Sequence, residues 1–156
     1  MSPSTPQDIP NSSPELAAYL PTASMGAGFC GLGTAIPPKK AGIDSFTIFE
    51  RASDVGGTWR DNTYPGAACD VPSHAYSLSF EQSPSWSRRF AQSGEIYEYL
   101  KSITHKWDLR KHIRFNTEIV DARFDEEAGG WTLTTGDDET FTAPGGQRAF
   151  ELLEIA

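Results

Sequence analysis

Three glycines spaced Gly26-x-Gly28-x-x-Gly31 restrict this chain more than any other feature in it. In such a spacing the first glycine permits a tight strand-to-helix turn. The second lets backbone N–H groups approach a pyrophosphate, and the third lets the helix pack close to the strand. The helix that follows offers unpaired N–H donors and a positive dipole end to phosphates. Glycines also gather in ordinary turns, so the spacing needs a second signal. Glu50 supplies one: it lies 19 residues after Gly31 and ends Ser45–Glu50 (SFTIFE), a run with the β-branched and aromatic character of a buried strand. An acidic side chain there accepts hydrogen bonds from ribose hydroxyls. The competing reading is a solvated carboxylate at a strand end. Acid rather than arginine at this point disfavours a 2′-phosphate, which implies FAD or NAD rather than NADP.

Around that core the expected elements follow from pattern. Residues 1–14 hold four prolines among Ser, Thr, Asn and Gln and read as a disordered tail. Glu15–Leu20 reads as a turn of helix. The strand before the glycine loop is Leu20-Pro21-Thr22-Ala23-Ser24-Met25, polar and proline-broken, although a central parallel strand is buried on both faces and should be apolar. Pro37-Pro38 should interrupt the next helix, since an interior proline costs about 3 kcal/mol, while the first turn survives. Residues 52–72 read as an ordered loop. Ser93 is the expected N-cap of an amphipathic helix whose apolar stripe is Ile96, Tyr99, Leu100, Ile103 and Trp107. Short strands are expected at His112–Phe115, Glu118–Phe124, Trp131–Thr135 and Thr140–Ala143. The fold class is therefore α/β: an incomplete Rossmann-like domain over 15–143 with an appended antiparallel β-meander at about 117–143. Residues 144–156 form an atypical tail.

Composition excludes several function classes. A formal net charge of −8 argues against nucleic-acid binding, because a phosphate backbone attracts a basic face. No apolar run approaches the roughly 18 residues of a membrane span, and the N-terminus lacks a basic segment followed by an apolar stretch. Cys30 and Cys69 have neither metal-ligand spacing nor a disulfide framework. They are read as packing residues in a reducing, cytoplasmic setting. His74, His105 and His112 form no metal spacing.

A second cluster, Gly56-Gly57-Thr58-Trp59-Arg60-Asp61-Asn62-Thr63-Tyr64-Pro65-Gly66-Ala67-Ala68-Cys69-Asp70, resembles the GGxWxxxxYPGxxxD signature of Baeyer–Villiger monooxygenases, the class B flavoprotein monooxygenases. FERASDVGGTW, SHAYSLSF, WSRRFAQSGEIYEYL and HIRFNTEIVDARFDEEAGGWTLTT are similar to that family too, so the resemblance runs from about Gly26 to Ala143. It implies that Gly26, Gly28 and Gly31 cradle the FAD pyrophosphate and that Glu50 binds the adenosine ribose. Thr58, Trp59 and Asp61 would lie along the phosphate and ribityl side. Asp70 and Tyr76 would approach the flavin end, and Ile119 would meet the adenine through its backbone. Core packing is the competing reading for Trp59, Tyr64 and Tyr76, and turn capping for Asp70. No catalytic residue is identifiable beyond Asp70 as a candidate near the flavin, and no metal site is expected.

The resemblance implies an FAD- and NADPH-dependent oxidoreductase acting on a small ketone or a heteroatom compound, represented here by its N-terminal FAD-binding segment. The family's FxGxxxHxxxW fingerprint, its NADPH-binding glycines and its downstream arginine have no counterpart in these 156 residues. The tail after Ala143 departs from the family pattern, which suggests a frameshift or a mispredicted gene model. Two alternatives stay open. One is a truncated, non-catalytic FAD- or nucleotide-binding remnant. The other is a heteroatom-oxidising flavin monooxygenase or N-hydroxylase, from which the YPGxxxD ending points away.

Overall fold

In a computed structural model of the protein, residues 18–145 are described. The expected tails at 1–14 and beyond 145 lie outside them. The elements in chain order are strands β1 (Ala18–Tyr19) and β2 (Ala23–Met25), helix α1 (Phe29–Lys40), strand β3 (Thr47–Phe49), helices α2 (Thr58–Asp61) and α3 (Ser93–Lys106), and strands β4 (Ile113–Arg114), β5 (Ile119–Asp125), β6 (Gly130–Thr135) and β7 (Thr140–Pro144).

Two sheets result. The first is parallel, in the order β2-β3-β4, with Ala23, Ser24 and Met25 opposite Thr47, Ile48 and Phe49. The second has the order β1-β7-β6-β5; β5, β6 and β7 form the expected antiparallel meander, and β1 adds to β7 in parallel. Side chains alternate across β3 as a strand requires. Ile48 packs with Leu32 and Ile36 of α1 and Leu100 and Ile103 of α3. Phe49 packs the other way, with Leu133, Phe141 and Ala143 of the meander, its ring 5.0 Å from that of Phe141. The parallel sheet is thus sandwiched between helices and meander, and its strand ends face the glycine loop.

Five expectations change. Ala18–Tyr19 is a strand, not part of a helical turn, because β7 offers it an open edge. The polar strand before the glycine loop does form, and its composition is tolerated because β2 stands at the edge of its sheet among the described residues, not in the centre. Only Ala23 is buried there. Helix α1 continues through Pro37 and Pro38 to Lys40. Both prolines sit in its last turn, where Ala41 N–H bonds the Pro37 and Pro38 carbonyls and Ile43 N–H the Pro38 carbonyl. The turns before them bury Leu32 and Ile36 completely, about 1.5–3 kcal/mol each, which offsets much of the proline cost. Finally, Gln92 rather than Ser93 is the N-cap of α3, with no side-chain capping bond, and β7 extends one residue past the expected boundary, to Pro144.

Candidate functional site

The glycine loop forms because each of its glycines meets a different constraint. Gly26 has φ +82°, the left-handed region that side chains avoid. Gly31 has an ordinary φ but no room: a Cβ there would lie 1.9 Å from the Gly26 carbonyl oxygen. Gly28 caps α1 in an extended conformation and offers no side-chain hydrogen bond to the helix. A Cβ at Gly28 would touch the Gly57 Cα at 3.6 Å, so two glycine turns, 26–28 and 56–57, abut. The first-turn N–H groups of α1 have no helical carbonyl to bond.

Glu50, at the end of β3, is buried. Its Oε2 accepts the Ala27 N–H at 2.7 Å, which ties the carboxylate to the glycine loop. Its Oε1 accepts the Ala52 N–H at 2.9 Å and an Arg60 Nη1 hydrogen at 3.2 Å. A carboxylate has about four acceptor positions, so one remains, on Oε2. The solvated-carboxylate reading of Glu50 does not survive this geometry. The Ala27 carbonyl in turn accepts from Gly56 N–H at 2.9 Å.

An open pocket of about 410 Å³ runs along this junction. Its wall gathers nine of the ten expected residues: Gly26, Gly28, Gly31, Glu50, Thr58, Trp59, Asp61, Tyr76 and Ile119. Trp59 and Tyr76 meet edge to face, with ring centroids 5.4 Å apart, and the indole Nε1 donates to the Tyr76 hydroxyl at 3.1 Å. Burial pushes the Tyr76 phenol up, against the Trp59 hydrogen bond, so it stays protonated. With the oxygen already accepting, its own proton is left to donate. Ile119 stands at a β-bulge, where the register shifts between Ile119 and Asp121; a bulge leaves backbone groups out of the ladder.

Asp70 is the exception. It is exposed, follows buried Cys69, and does not line the pocket, although its charge contributes to raising the Tyr76 phenol. Arg60 is the residue that the sequence reading missed. It sits on α2 in the pocket wall, as does Arg51, and the available signal was a pair of arginines, Arg51 and Arg60, set among Glu50, Asp54 and Asp61. A second open groove, of about 520 Å³ near Tyr64, Arg88 and the start of α3, contains none of the expected residues. Among the described residues no cluster of His, Cys, Asp and Glu has metal-binding geometry, and no helix is long and apolar enough to cross a membrane.

The residues present fit a dinucleotide: a helix end with free donors, glycines that allow close backbone approach, and a buried acid with one acceptor position left. Residues 25–93 match the family model described as an NAD(P)-binding Rossmann-like domain. The chain is 45% identical over 117 residues to a Baeyer–Villiger monooxygenase of Streptomyces coelicolor, covering 75% of this chain and 22% of that protein. Its fold matches an oxidised steroid monooxygenase bound to NADP, with a TM-score of 0.73 and 39% identity over 81% of this chain and 25% of the other. It also matches OTEMO in complex with FAD and NADP, with a TM-score of 0.70 and 33% identity over 81% and 26%. This chain spans about a quarter of the length of those relatives. Over the quarter that it spans, in both sequence and fold, it belongs to the Baeyer–Villiger monooxygenase family of flavoproteins.

Proposed function

We propose that this chain binds FAD, and that the whole protein to which the segment corresponds is an NADPH-dependent monooxygenase that oxidises a small ketone or heteroatom compound. The observation that carries the reading is the single pocket wall on which nine of the ten residues expected from the sequence converge. In it the N–H groups at Gly28, Gly31 and the start of α1 hold the pyrophosphate, while Gly26, whose own N–H bonds the Phe49 carbonyl at 2.7 Å, makes the turn that lets it approach. The free Oε2 position of Glu50 takes one hydroxyl of the adenosine ribose. Ile119 meets the adenine through its backbone at the bulge. Thr58, Trp59 and Asp61 run along the phosphate and ribityl side, and the Tyr76 hydroxyl donates towards the flavin end. Asp70 is assigned to that end by the family resemblance alone. Bound FAD supplies the redox chemistry with NADPH and O₂; the chain supplies position and charge. The net charge of −8 argues against a nucleic-acid partner, and a cytoplasmic setting suits the two free thiols.

The test is a titration of the purified 156-residue chain with FAD, read by quenching of flavin fluorescence and by absorbance after desalting. Saturable binding in the wild type, with at least a tenfold loss in Gly28→Val, is the expected result. The side chain of valine would crowd the pocket beside Gly57 and block backbone approach. A wild-type chain that takes up no FAD overturns the proposal, and unchanged affinity in Gly28→Val overturns the assignment of the loop.

A further inference from the structure

The Arg60 guanidinium is placed like a clamp. Its Nη1 donates to Glu50 Oε1 at 3.2 Å and, by a short bond, to the Asp54 carbonyl oxygen. Its Nε and Nη2 donate to the two oxygens of Asp61 at 2.8 and 3.1 Å. Four of the five guanidinium N–H groups are therefore committed. Its side chain is only 15% exposed and that of Glu50 only 4%, so little water competes for the pair. Through these bonds one residue joins the end of β3, the turn at Asp54 and helix α2, which together form one side of the pocket.

Two consequences follow from this placement. First, the Glu50 carboxylate has three protein donors in fixed directions: Ala27 N–H on Oε2, and Ala52 N–H and Arg60 on Oε1. Removing Arg60 leaves Oε1 half satisfied and the carboxylate free to rotate towards other donors. Its open Oε2 position would then no longer point in one direction. Second, the bidentate bond to Asp61 occupies the face of the guanidinium that would otherwise receive a phosphate. An arginine in the wall of a nucleotide pocket is usually read as a phosphate ligand; here its fork is already filled by a carboxylate.

We propose that Arg60 is a positioning residue: it fixes the Glu50 carboxylate for a ribose hydroxyl, and itself contacts no phosphate. The inference rests on the dinucleotide reading of the pocket. It predicts that the energetic effect of Arg60 on ligand binding passes through Glu50. A residue that merely holds the domain together would act on binding independently of Glu50.

The experiment is a double-mutant cycle on the full chain, with Arg60→Met, Glu50→Gln and the double variant. Each is titrated with FAD and with ADP-ribose, which carries the adenosine ribose without the flavin. Melting temperature is recorded alongside. Arg60→Met weakens both ligands about tenfold, the effect of losing one hydrogen bond to a charged group. In the Glu50→Gln background the same change has no further effect. Arg60→Lys, which restores the charge without the fork, recovers part of the loss, and it carries the test if Arg60→Met does not fold. Wild-type affinity in the Arg60 variants, or equal losses with and without Glu50, overturns the positioning role while leaving the FAD reading intact. A wild-type chain that binds neither FAD nor ADP-ribose overturns both.

Discussion

Gly31→Ala is the sharpest perturbation of this site, because the structure states what one methyl group must displace. The new Cβ would lie 1.9 Å from the Gly26 carbonyl oxygen and 3.1 Å from its carbon. Both are backbone atoms of the loop, so no side chain can rotate away. Ordinary contact begins near 3.4 Å, so loop and helix must separate by about 1.5 Å, the difference of those two distances. Overpacking of this kind costs about 1–3 kcal/mol, or roughly 3–10 °C in melting temperature for a domain of this size. The consequence for binding is larger. Hydrogen bonds from the start of α1 to a phosphate form near 2.9 Å, and a 1.5 Å displacement breaks them, so FAD affinity falls about tenfold or more. Gly33→Ala is the matched control two residues along the same helix. There the new Cβ meets the Leu78 Cδ2 at 3.0 Å, the tip of a flexible side chain, and alanine favours the helix by about 1 kcal/mol. Thermal denaturation and flavin titration of the two variants decide the matter. Wild-type melting and affinity in Gly31→Ala, or equal damage from Gly33→Ala, would refute the close-approach argument.

Two further outcomes are expected. Tyr76→Phe removes the acceptor of the 3.1 Å bond from Trp59 Nε1 and strands a half-buried donor. It should lower stability by about 1 kcal/mol in urea denaturation and weaken FAD binding, whereas an effect on neither would remove Tyr76 from the site. The pH dependence should show Glu81. Desolvation pushes its carboxyl up, but hydrogen bonds from Lys106 and Trp107 Nε1 prevail and hold it below its ordinary value of 4.5. The unfolded chain therefore binds this proton more readily. The stabilisation is fully present above pH 4.5 and is lost as pH falls through the lower folded value. The urea midpoint of the wild type should drop more steeply below pH 4.5 than that of Glu81→Gln; parallel curves would show that Glu81 is not part of the acid limb.

What could be read from the sequence, and what could not, divides along a physical line. Glycine spacing and the acid 19 residues beyond Gly31 were legible because they are constraints on the backbone itself: a left-handed φ at Gly26 favours glycine, and a missing 1.5 Å at Gly31 leaves no room for a side chain. Strand β3 and the meander were legible for a similar reason, since Ile48 and Phe49 must face opposite layers. The two failures concerning proline and polarity came from judging local propensity without position. Pro37 and Pro38 are costly in a helix interior but fall in the last turn of α1, and the polar β2 would be costly in a central strand but stands at an edge among the described residues. Neither position can be read from the residues concerned, because each is fixed by where the neighbouring elements stop.

Arg60 and β1 illustrate the opposite case. Ala18–Tyr19 is two exposed residues long, and only the existence of β7, more than a hundred residues later, makes it a strand. Arg60 lies next to Trp59 in a family signature that fixes the tryptophan and leaves positions 60–63 variable. Its partners Glu50, Asp54 and Asp61 are close in sequence, yet the arrangement that matters is the turn that brings their oxygens to one guanidinium. A motif reports the atoms that touch the ligand; it does not report the atoms that aim them. If Arg60 aims Glu50, the motif residues of this pocket are necessary for FAD binding but not sufficient. Transplanting Gly26, Gly28, Gly31 and Glu50 onto a related loop without an arginine at position 60 would then reproduce the cradle and not the affinity.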